Sequence, residues 1–473
     1  MDKQLLQDEL LLGQLLDLVK KFTIGFRADD ERPAGSTLRK IPNSSLPDLG
    51  DGAQDAMKVF GEQWQDYFVA SPSNRYLGYV TGGTTPAALV GDWLTTALDQ
   101  NPQAVKGFGD VSAAVELATI GLLRDLFGLP TFFSGGFVTG ATMSTFTCLG
   151  VARQWVGAKQ GYDVAKDGLQ QPIPILTATP HSSAVKCLSM LGIGSRNIVK
   201  VATLPGSEAM DINDLETKIA ELNGDPFIII ASSGTVNTVD FDDLLAIARL
   251  RDEHGCWVHV DAAFGGFAAL SPEHAHLIAG WEMADSVTVD NHKWLNVPYD
   301  SACWFIREEH LPLQIATFQN SSAPYLGDPA ADFNYLNVGP ENSRRLRALP
   351  AWFSLHAYGR SGYEDIVTRC IKTAFLLGSA LSEDPAFELL AEVKLNVVAF
   401  TLTDAAPERI NALVQRLNDR GRYFLSPTTL FGRRGLRAAF VNWQCETSQV
   451  EEIVSELHLA LKELPFAPAA APT

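Results

Sequence analysis

Apolar positions change their period along the chain, and the changes divide it into regions. Near the start, leucines at 5, 6, 10, 11, 12, 15, 16 and 18 predict a helix over Leu5–Val19 with a broad apolar face. Such an arm must bury that face, either on its own core or on a partner subunit. Residues 28–54, rich in Pro, Gly, Ser and Asp, predict a loop. From about 75 to 310, short apolar runs predict strands at Ile173–Ala178, Asn197–Thr203, Phe227–Ser232, Trp257–Asp261, Ser286–Asp290 and Ala302–Ile306. Helical stretches such as Asp211–Leu222 and Asp242–Glu253 lie between several of them. This alternation predicts an α/β fold with a mainly parallel central sheet covered by helices. The unbroken run Phe227–Ala231 suits a strand buried on both faces. Beyond 345 the pattern becomes a long helix from Leu349 to about Leu381, then Val393–Leu402, a helix at Pro407–Arg420, a strand at Gly435–Asn442 and a closing helix at Ser448–Leu464. This predicts a smaller C-terminal α+β domain. The expected division is residues 1–74 as arm and linker, 75–345 as the large domain and 346–473 as the small one. The Pro/Ala-rich tail from 465 is expected to be disordered.

The length, 473 residues, fits two to four domains. A composition of 46% hydrophobic and 19% charged residues excludes a disordered or fibrous chain. Net charge narrows the partners: 37 basic against 55 acidic residues give −18, which argues against a nucleic-acid surface. Six scattered cysteines without CxxC spacing signal neither a zinc site nor a redox pair, and no other metal site is read. They suit a reducing cytosol. No run of about 20 apolar residues could span a bilayer, and no basic leader precedes the first leucines. The expected setting is cytoplasmic.

Four segments carry chemistry. In Val289-Asp290-Asn291-His292-Lys293-Trp294, a lysine follows a predicted strand in apolar company. Desolvation disfavours its ammonium form and makes the amine a nucleophile toward a carbonyl. In His259-Val260-Asp261-Ala262-Ala263-Phe264-Gly265-Gly266, Asp261 ends a buried strand and small residues leave room for a flat ligand. A buried carboxylate there needs a cationic or hydrogen-bonding partner, such as a protonated pyridine nitrogen. An Asp capping the following helix would look the same. Gly135–Thr145 reads as a small-residue loop at a helix N-terminus, an anion cradle. His181, in Thr179-Pro180-His181-Ser182-Ser183, could stack on a ring.

In this order, the glycine-rich cradle, His181, Asp261 and the HKW lysine resemble the group II pyridoxal-phosphate-dependent amino-acid decarboxylases, the aromatic-amino-acid and glutamate decarboxylase type. The resemblance runs from about Asn74 to Asn442. It implies pyridoxal-phosphate fold type I, the aspartate-aminotransferase-like architecture, and pyridoxal 5'-phosphate as cofactor. By the match, Lys293 would carry the cofactor and Asp261 would pair with its ring nitrogen. His181 would cover one ring face and Ala263 the other. Ala141 and Thr142 match the phosphate cradle, His292 lies near the phosphate, and Ser232 lies near the ring oxygen. Arg437 matches an arginine that can meet the substrate carboxylate, although a surface salt bridge would give the same pattern. Tyr79 lies in Tyr76–Gly83, the wall that reads the substrate side chain.

The family also carries a mobile-loop tyrosine that acts as a general acid toward Cα. Tyr335, nine residues before Arg344-Arg345, fits that spacing better than its rival Tyr325. A phenylalanine in that place marks the related aldehyde synthases. The resemblance implies a homodimer with sites near the interface. It implies decarboxylation of an L-amino acid, with aromatic substrates slightly favoured. An aldehyde synthase, another carbon–carbon lyase and a non-catalytic cofactor-binding regulatory protein are the alternatives. Two departures stand out. Asp290-Asn291 replaces the usual Asn-Pro, and Asp290 would repel a phosphate unless it turns away, so it is not read as a phosphate ligand. The segment Lys106–Ser112 lacks the usual Trp and Pro.

Overall fold

The computed structural model describes residues 3–35, 45–103, 111–319 and 333–464. Seven strands form the larger sheet: β1 (Phe133–Val138), β2 (Ile175–Thr177), β3 (Ile198–Lys200), β4 (Ile228–Ser232), β5 (Trp257–Asp261), β6 (Ser286–Val289) and β7 (Ala302–Arg307). Their order is β1-β7-β6-β5-β4-β2-β3. From β6 to β3 every pairing is parallel, while β7 runs antiparallel to both β6 and β1. The expected mainly parallel sheet is present. Because β7 reverses twice, β1 points the same way as β6, and its C-terminal end reaches the same edge. Ser232, Asp261 and Thr288 are in register there. Every residue of β4 is buried, as its unbroken apolar run requires.

β1 is a correction to the sequence reading, which placed its glycines in a loop. Gly135–Val138 are extended and paired to Ala302–Phe305. Glycine is needed rather than merely tolerated: a Cβ on Gly136 would stand 2.7 Å from the Trp304 ring and 2.9 Å from the Tyr335 ring. Strand propensity counts against glycine, but close packing against two aromatic rings overrides it here.

A second, antiparallel sheet of order β10-β11-β9-β8 comprises β8 (Phe387–Leu389), β9 (Val397–Leu402), β10 (Ser426–Leu430) and β11 (Arg433–Ala439). Helix Pro407–Arg420 packs on it, and Gln449–Lys462 packs on that helix. The helix Ala348–Glu383 also packs on this unit, and is interrupted at Gly359, whose φ is +59°. Residues just after 74, assigned from sequence to the large domain, pair with the small one. Tyr76 bridges Phe424, Leu77 N–H donates to the Phe424 carbonyl, and Ala439 N–H donates to the Leu77 carbonyl. The wall segment that follows is thereby strapped to the C-terminal unit. The N-terminal arm is two helices, Lys3–Leu10 and Leu12–Ala28, rather than one. Neither has a buried residue. The six cysteines are free and buried. No helix among the described residues is long and apolar enough to cross a membrane.

Candidate active site

Parallel strands place their C-terminal ends at one edge, where ligands of open α/β sheets bind. A cavity of about 630 Å³ opens at that edge. Its lining includes Lys293, Asp261, His181, Ala263, Ala141, Thr142, His292, Ser232, Arg437 and Tyr79. These residues, scattered over more than 350 positions of sequence, converge because each follows a strand end or faces one.

Asp261 is the last residue of β5, and its Oδ1 accepts the Ala263 N–H at 3.2 Å. A glycine lets the backbones close up after it: a Cβ on Gly265 would lie 1.9 Å from the Ser233 carbonyl oxygen. A Cβ on Gly82 would lie 1.6 Å from the Lys293 carbonyl oxygen, so no side chain is possible where the wall meets the lysine turn. The helix Ala141–Lys159 begins at the cavity with Gly140 as N-cap and no side-chain cap. Its first-turn N–H groups have no intrahelical partner and form an anion site.

His181 Nδ1 accepts the Ser183 N–H at 3.3 Å and lies 2.7 Å from Ser183 Oγ. The neutral ring therefore carries its proton on Nε2. Burial lowers its pKa, the Asp261 charge opposes this, and the Lys293 charge adds to it. Ser232 N–H donates to Asp242 Oδ2 at 2.7 Å and its Oγ donates to the Thr179 carbonyl at 3.3 Å. Asp242 is buried, and desolvation pushes its pKa up to about 6.

Arg437 is buried. Its Nη1 donates to the Val236 carbonyl at 2.8 Å and its Nη2 to the Tyr79 carbonyl at 3.0 Å, while Nε has no protein partner. It is no surface salt bridge; it ties together two walls of the cavity. Tyr79 sits at φ +60° with its N–H on Ser426 Oγ at 2.6 Å and its ring 62% exposed. Behind the opposite wall, buried Val239 is held at φ +55°, an uncommon state for a β-branched residue, by the Thr235–Thr238–Asp240 hydrogen bonds.

Asp290 faces Lys293 and His292. Its side chain is 5% exposed, with Oδ2 3.4 Å from Lys293 Nζ and Oδ1 3.0 Å from His292 Nε2. Burial acts to raise its pKa, but the Lys293 charge and His292 outweigh that and hold it below the ordinary carboxylate value. The sequence reading expected an apolar setting for Lys293; the structure puts a carboxylate beside it.

Tyr335 is the misplaced residue. It is buried, outside the cavity lining, with its hydroxyl on the Gly135 carbonyl at 3.2 Å and the Arg344 guanidinium 4.4 Å over its ring. A hydroxyl held there does not reach a ligand in the cavity. Tyr325 lies outside the described residues, as does most of Lys106–Ser112. Sequence reasoning also missed Tyr299 and Glu208, which line the cavity. Tyr299 stacks on His292 at 4.3 Å and shares a hydrogen bond with Thr81 at 3.1 Å. Neither carried a motif signal; tertiary contact alone brings them in.

Residues 38–403 match the pyridoxal-dependent decarboxylase conserved domain. The chain belongs to that family. Its cofactor is pyridoxal 5'-phosphate, and it is a pyridoxal-phosphate-dependent amino-acid decarboxylase. Among curated relatives it is 27% identical over 442 residues to an aromatic-L-amino-acid decarboxylase of Bacillus atrophaeus, covering 90% of this chain and 89% of the relative. It is 26% identical over 445 residues to a phenylacetaldehyde synthase of a Rosa hybrid cultivar, covering 87% and 81%. Among solved structures, a tryptophan decarboxylase of Catharanthus roseus in complex with L-tryptophan superposes with TM-score 0.83 at 21% identity, covering 96% of this chain and 99% of that one. Mouse CSAD superposes with TM-score 0.85 at 23% identity, covering 97% and 100%. These likenesses establish fold type I.

The donor set fits the cofactor. An uncapped helix N-terminus suits a phosphate, a strand-end carboxylate suits a protonated pyridine nitrogen, and a lysine amine between them suits an aldehyde.

Proposed function

We propose that this decarboxylase acts on an aromatic L-amino acid and releases the corresponding amine. The observation that carries the reading is the convergence of Lys293, Asp261 and His181 in one cavity whose remaining walls include the rings of Tyr79, Tyr299 and Phe264. Bound pyridoxal phosphate supplies an electron sink for the pair left when CO2 departs. The chain's residues do the rest. The Lys293 amine would hold the cofactor by its aldehyde. Asp261 would keep a proton on the ring nitrogen. His181 and Ala263 would flank the ring. The N–H groups of Ala141 and Thr142 would hold the phosphate, and Ser232 would serve the ring oxygen. Arg437, held between Val236 and Tyr79, lines the cavity and would meet the substrate carboxylate there.

The remaining proton goes to Cα. With Tyr335 buried, Tyr325 is the tyrosine we assign to that step. If molecular oxygen takes the electron pair before the proton is delivered, the products are an aldehyde, ammonia and hydrogen peroxide, and the phenylacetaldehyde synthase among the relatives gives that second reading its weight. We also infer a homodimer, because Leu5, Leu10 and Ile24 of the arm are 65%, 85% and 60% exposed in the single chain. The free cysteines support a cytoplasmic setting.

The test is product mass spectrometry with pyridoxal phosphate and a mixture of amino acids. A product lighter by one CO2 from an aromatic member is expected. Loss of CO2 from an acidic or diamino substrate overturns the substrate assignment, and an aldehyde overturns the amine. Intact substrates, with a spectrum unmoved by amino acids, would favour the regulatory alternative.

A further inference from the structure

Asp261, Asp290 and Glu208 are carboxylates in the cavity lining. Asp261 is taken by the ring nitrogen in the reading above, and Asp290 stands beside Lys293 and His292. Glu208 has no task there. It lies between β3 and the helix Ile212–Glu221 and is 8% exposed. Its backbone is tied on both sides: the N–H donates to Asp240 Oδ2 at 2.6 Å, and the carbonyl accepts the Thr179 hydroxyl at 2.9 Å.

The Glu208 side chain is held by neutral groups. Oε2 accepts the Thr238 N–H at 3.2 Å. Thr238 Oγ1 lies 2.8 Å from Oε2 and 2.8 Å from Asp240 Oδ2, so its single proton serves one carboxylate at a time. Oε1 meets the Asn237 amide at the long distance of 3.4 Å. The Thr428 hydroxyl donates to Asn237 Oδ1 at 2.6 Å, which fixes that amide with Nδ2 toward Glu208. Among the described residues no lysine, arginine or histidine lies within ion-pair distance of Glu208. Neighbouring Asp240 pairs with Lys394. Arg437 feels the Glu208 charge, but its Nη1 and Nη2 are committed to the carbonyls of Val236 and Tyr79.

A carboxylate accepts at about four lone-pair sites, and burying one is costly unless a cation or enough donors compensate it. Oε1 therefore keeps acceptor capacity in a wall of the cavity. There is also room at this point. Thr179, Pro180 and Glu208 line a second cavity as well, of about 610 Å³, between β3 and the β10–β11 turn, with Thr203, Ser207 and Phe431 among its walls.

We propose that Glu208 is a specificity-determining residue, whose Oε1 accepts a hydrogen bond from the far end of the substrate side chain. On the aromatic reading given above, on which this rests, the site selects rings that carry an O–H or N–H donor, a phenol or an indole, over a plain phenyl ring. It refuses an acidic side chain, because that would set carboxylate against carboxylate.

The test is kcat/KM of the full-length, cofactor-loaded chain for L-tyrosine, O-methyl-L-tyrosine and L-phenylalanine. In the wild type, L-tyrosine is expected to exceed each of the other two by about tenfold or more, the scale for leaving a buried acceptor unpaired. Glu208→Gln keeps the size of the side chain but has one acceptor oxygen where Glu has two. In that variant the tyrosine-to-phenylalanine ratio should fall to near one. A wild-type ratio near one overturns the proposal without any variant. So does a high ratio that survives in Glu208→Gln, including the case where all three substrates slow together, which is what a loosened wall would give. Turnover of 2,4-diaminobutyrate with no aromatic amino acid accepted would overturn the aromatic reading instead. A tenfold loss on that cation in Glu208→Gln would then support Glu208 as the acceptor, and no loss would overturn both. Turnover of L-glutamate would also overturn both.

Discussion

The Tyr335 hydroxyl donates to the carbonyl of Gly135 at 3.2 Å, across the face of the first strand of the large sheet. That contact binds the segment leading to Arg344 onto the strand whose end opens the phosphate cradle. It also makes Tyr335 a structural residue. Burial and the nearby Glu116 carboxylate raise its pKa well above the phenol value.

Tyr335→Phe is therefore expected to cost about 1 kcal/mol of stability for one lost buried hydrogen bond and to leave the amine-to-aldehyde ratio unchanged. Urea denaturation and product analysis check both halves. Tyr325→Phe should instead slow amine release and raise aldehyde. A changed ratio in Tyr335→Phe alone would return the acid role to Tyr335.

Lys293→Ala should abolish borohydride-fixable colour. Asp261→Ala should keep pyridoxal phosphate bound but lower kcat on the order of 10²-fold or more, the scale for losing one preorganised electrostatic partner. Absorbance after gel filtration and steady-state kinetics separate the two. Equal loss of colour in both variants would mean that Asp261 serves binding rather than the electron sink.

Two buried groups act oppositely on stability between pH 4 and 6.5. The folded pKa of Asp242 is raised by burial to about 6, so its stabilising contribution is complete below the unfolded value near 3.8 and is lost as pH rises through 6. His259 is lowered by burial to about 4, so its contribution is present above 6.5 and is lost as pH falls toward 4. Each spans about 2 pH units, or about 3 kcal/mol. In Asp242→Asn, stability should fall more steeply on acidification over this window than in wild type, because the opposing term is gone. In His259→Gln it should fall less steeply. Denaturant midpoints at half-unit pH steps give the slopes, and parallel curves for all three proteins would contradict the assignment.

Tyr79 stands at φ +60°, where a side chain is strained. In Tyr79→Gly, relief of about 1 kcal/mol of strain offsets the lost ring contact with Phe424, 5.9 Å away, so stability should change little. KM for an aromatic substrate should rise several-fold, with kcat largely kept. Arg437→Lys should raise KM about tenfold and also destabilise the fold, because a single nitrogen cannot reproduce the fork by which two guanidinium nitrogens reach the separate carbonyls of Val236 and Tyr79. An unchanged KM in both variants would remove this wall from the substrate site.

Much of this protein was legible in the order of its residues. Strands β4 to β7 are close to their apolar runs, because a strand buried on both faces has to be written as uninterrupted hydrophobics. Asp211 caps its helix at the expected start by accepting the Asn213 N–H, and Asp243 caps the next, one residue beyond the expected start, by accepting the Ala246 N–H. Lys293, Asp261 and His181 were legible because their neighbours are small or aromatic in a pattern that packing alone does not require. Other features were settled only in three dimensions. β1 was hidden because its glycines answer to Trp304 and Tyr335, residues some 170 and 200 positions away. Tyr335 kept the right spacing to Arg344-Arg345 yet lies beneath the sheet, since spacing along a chain says nothing about which side of a strand a ring ends on. Asp290 looked like a misfit next to a phosphate. The turn after β6 points it instead at Lys293 and His292, where charge neutralisation makes its burial tolerable.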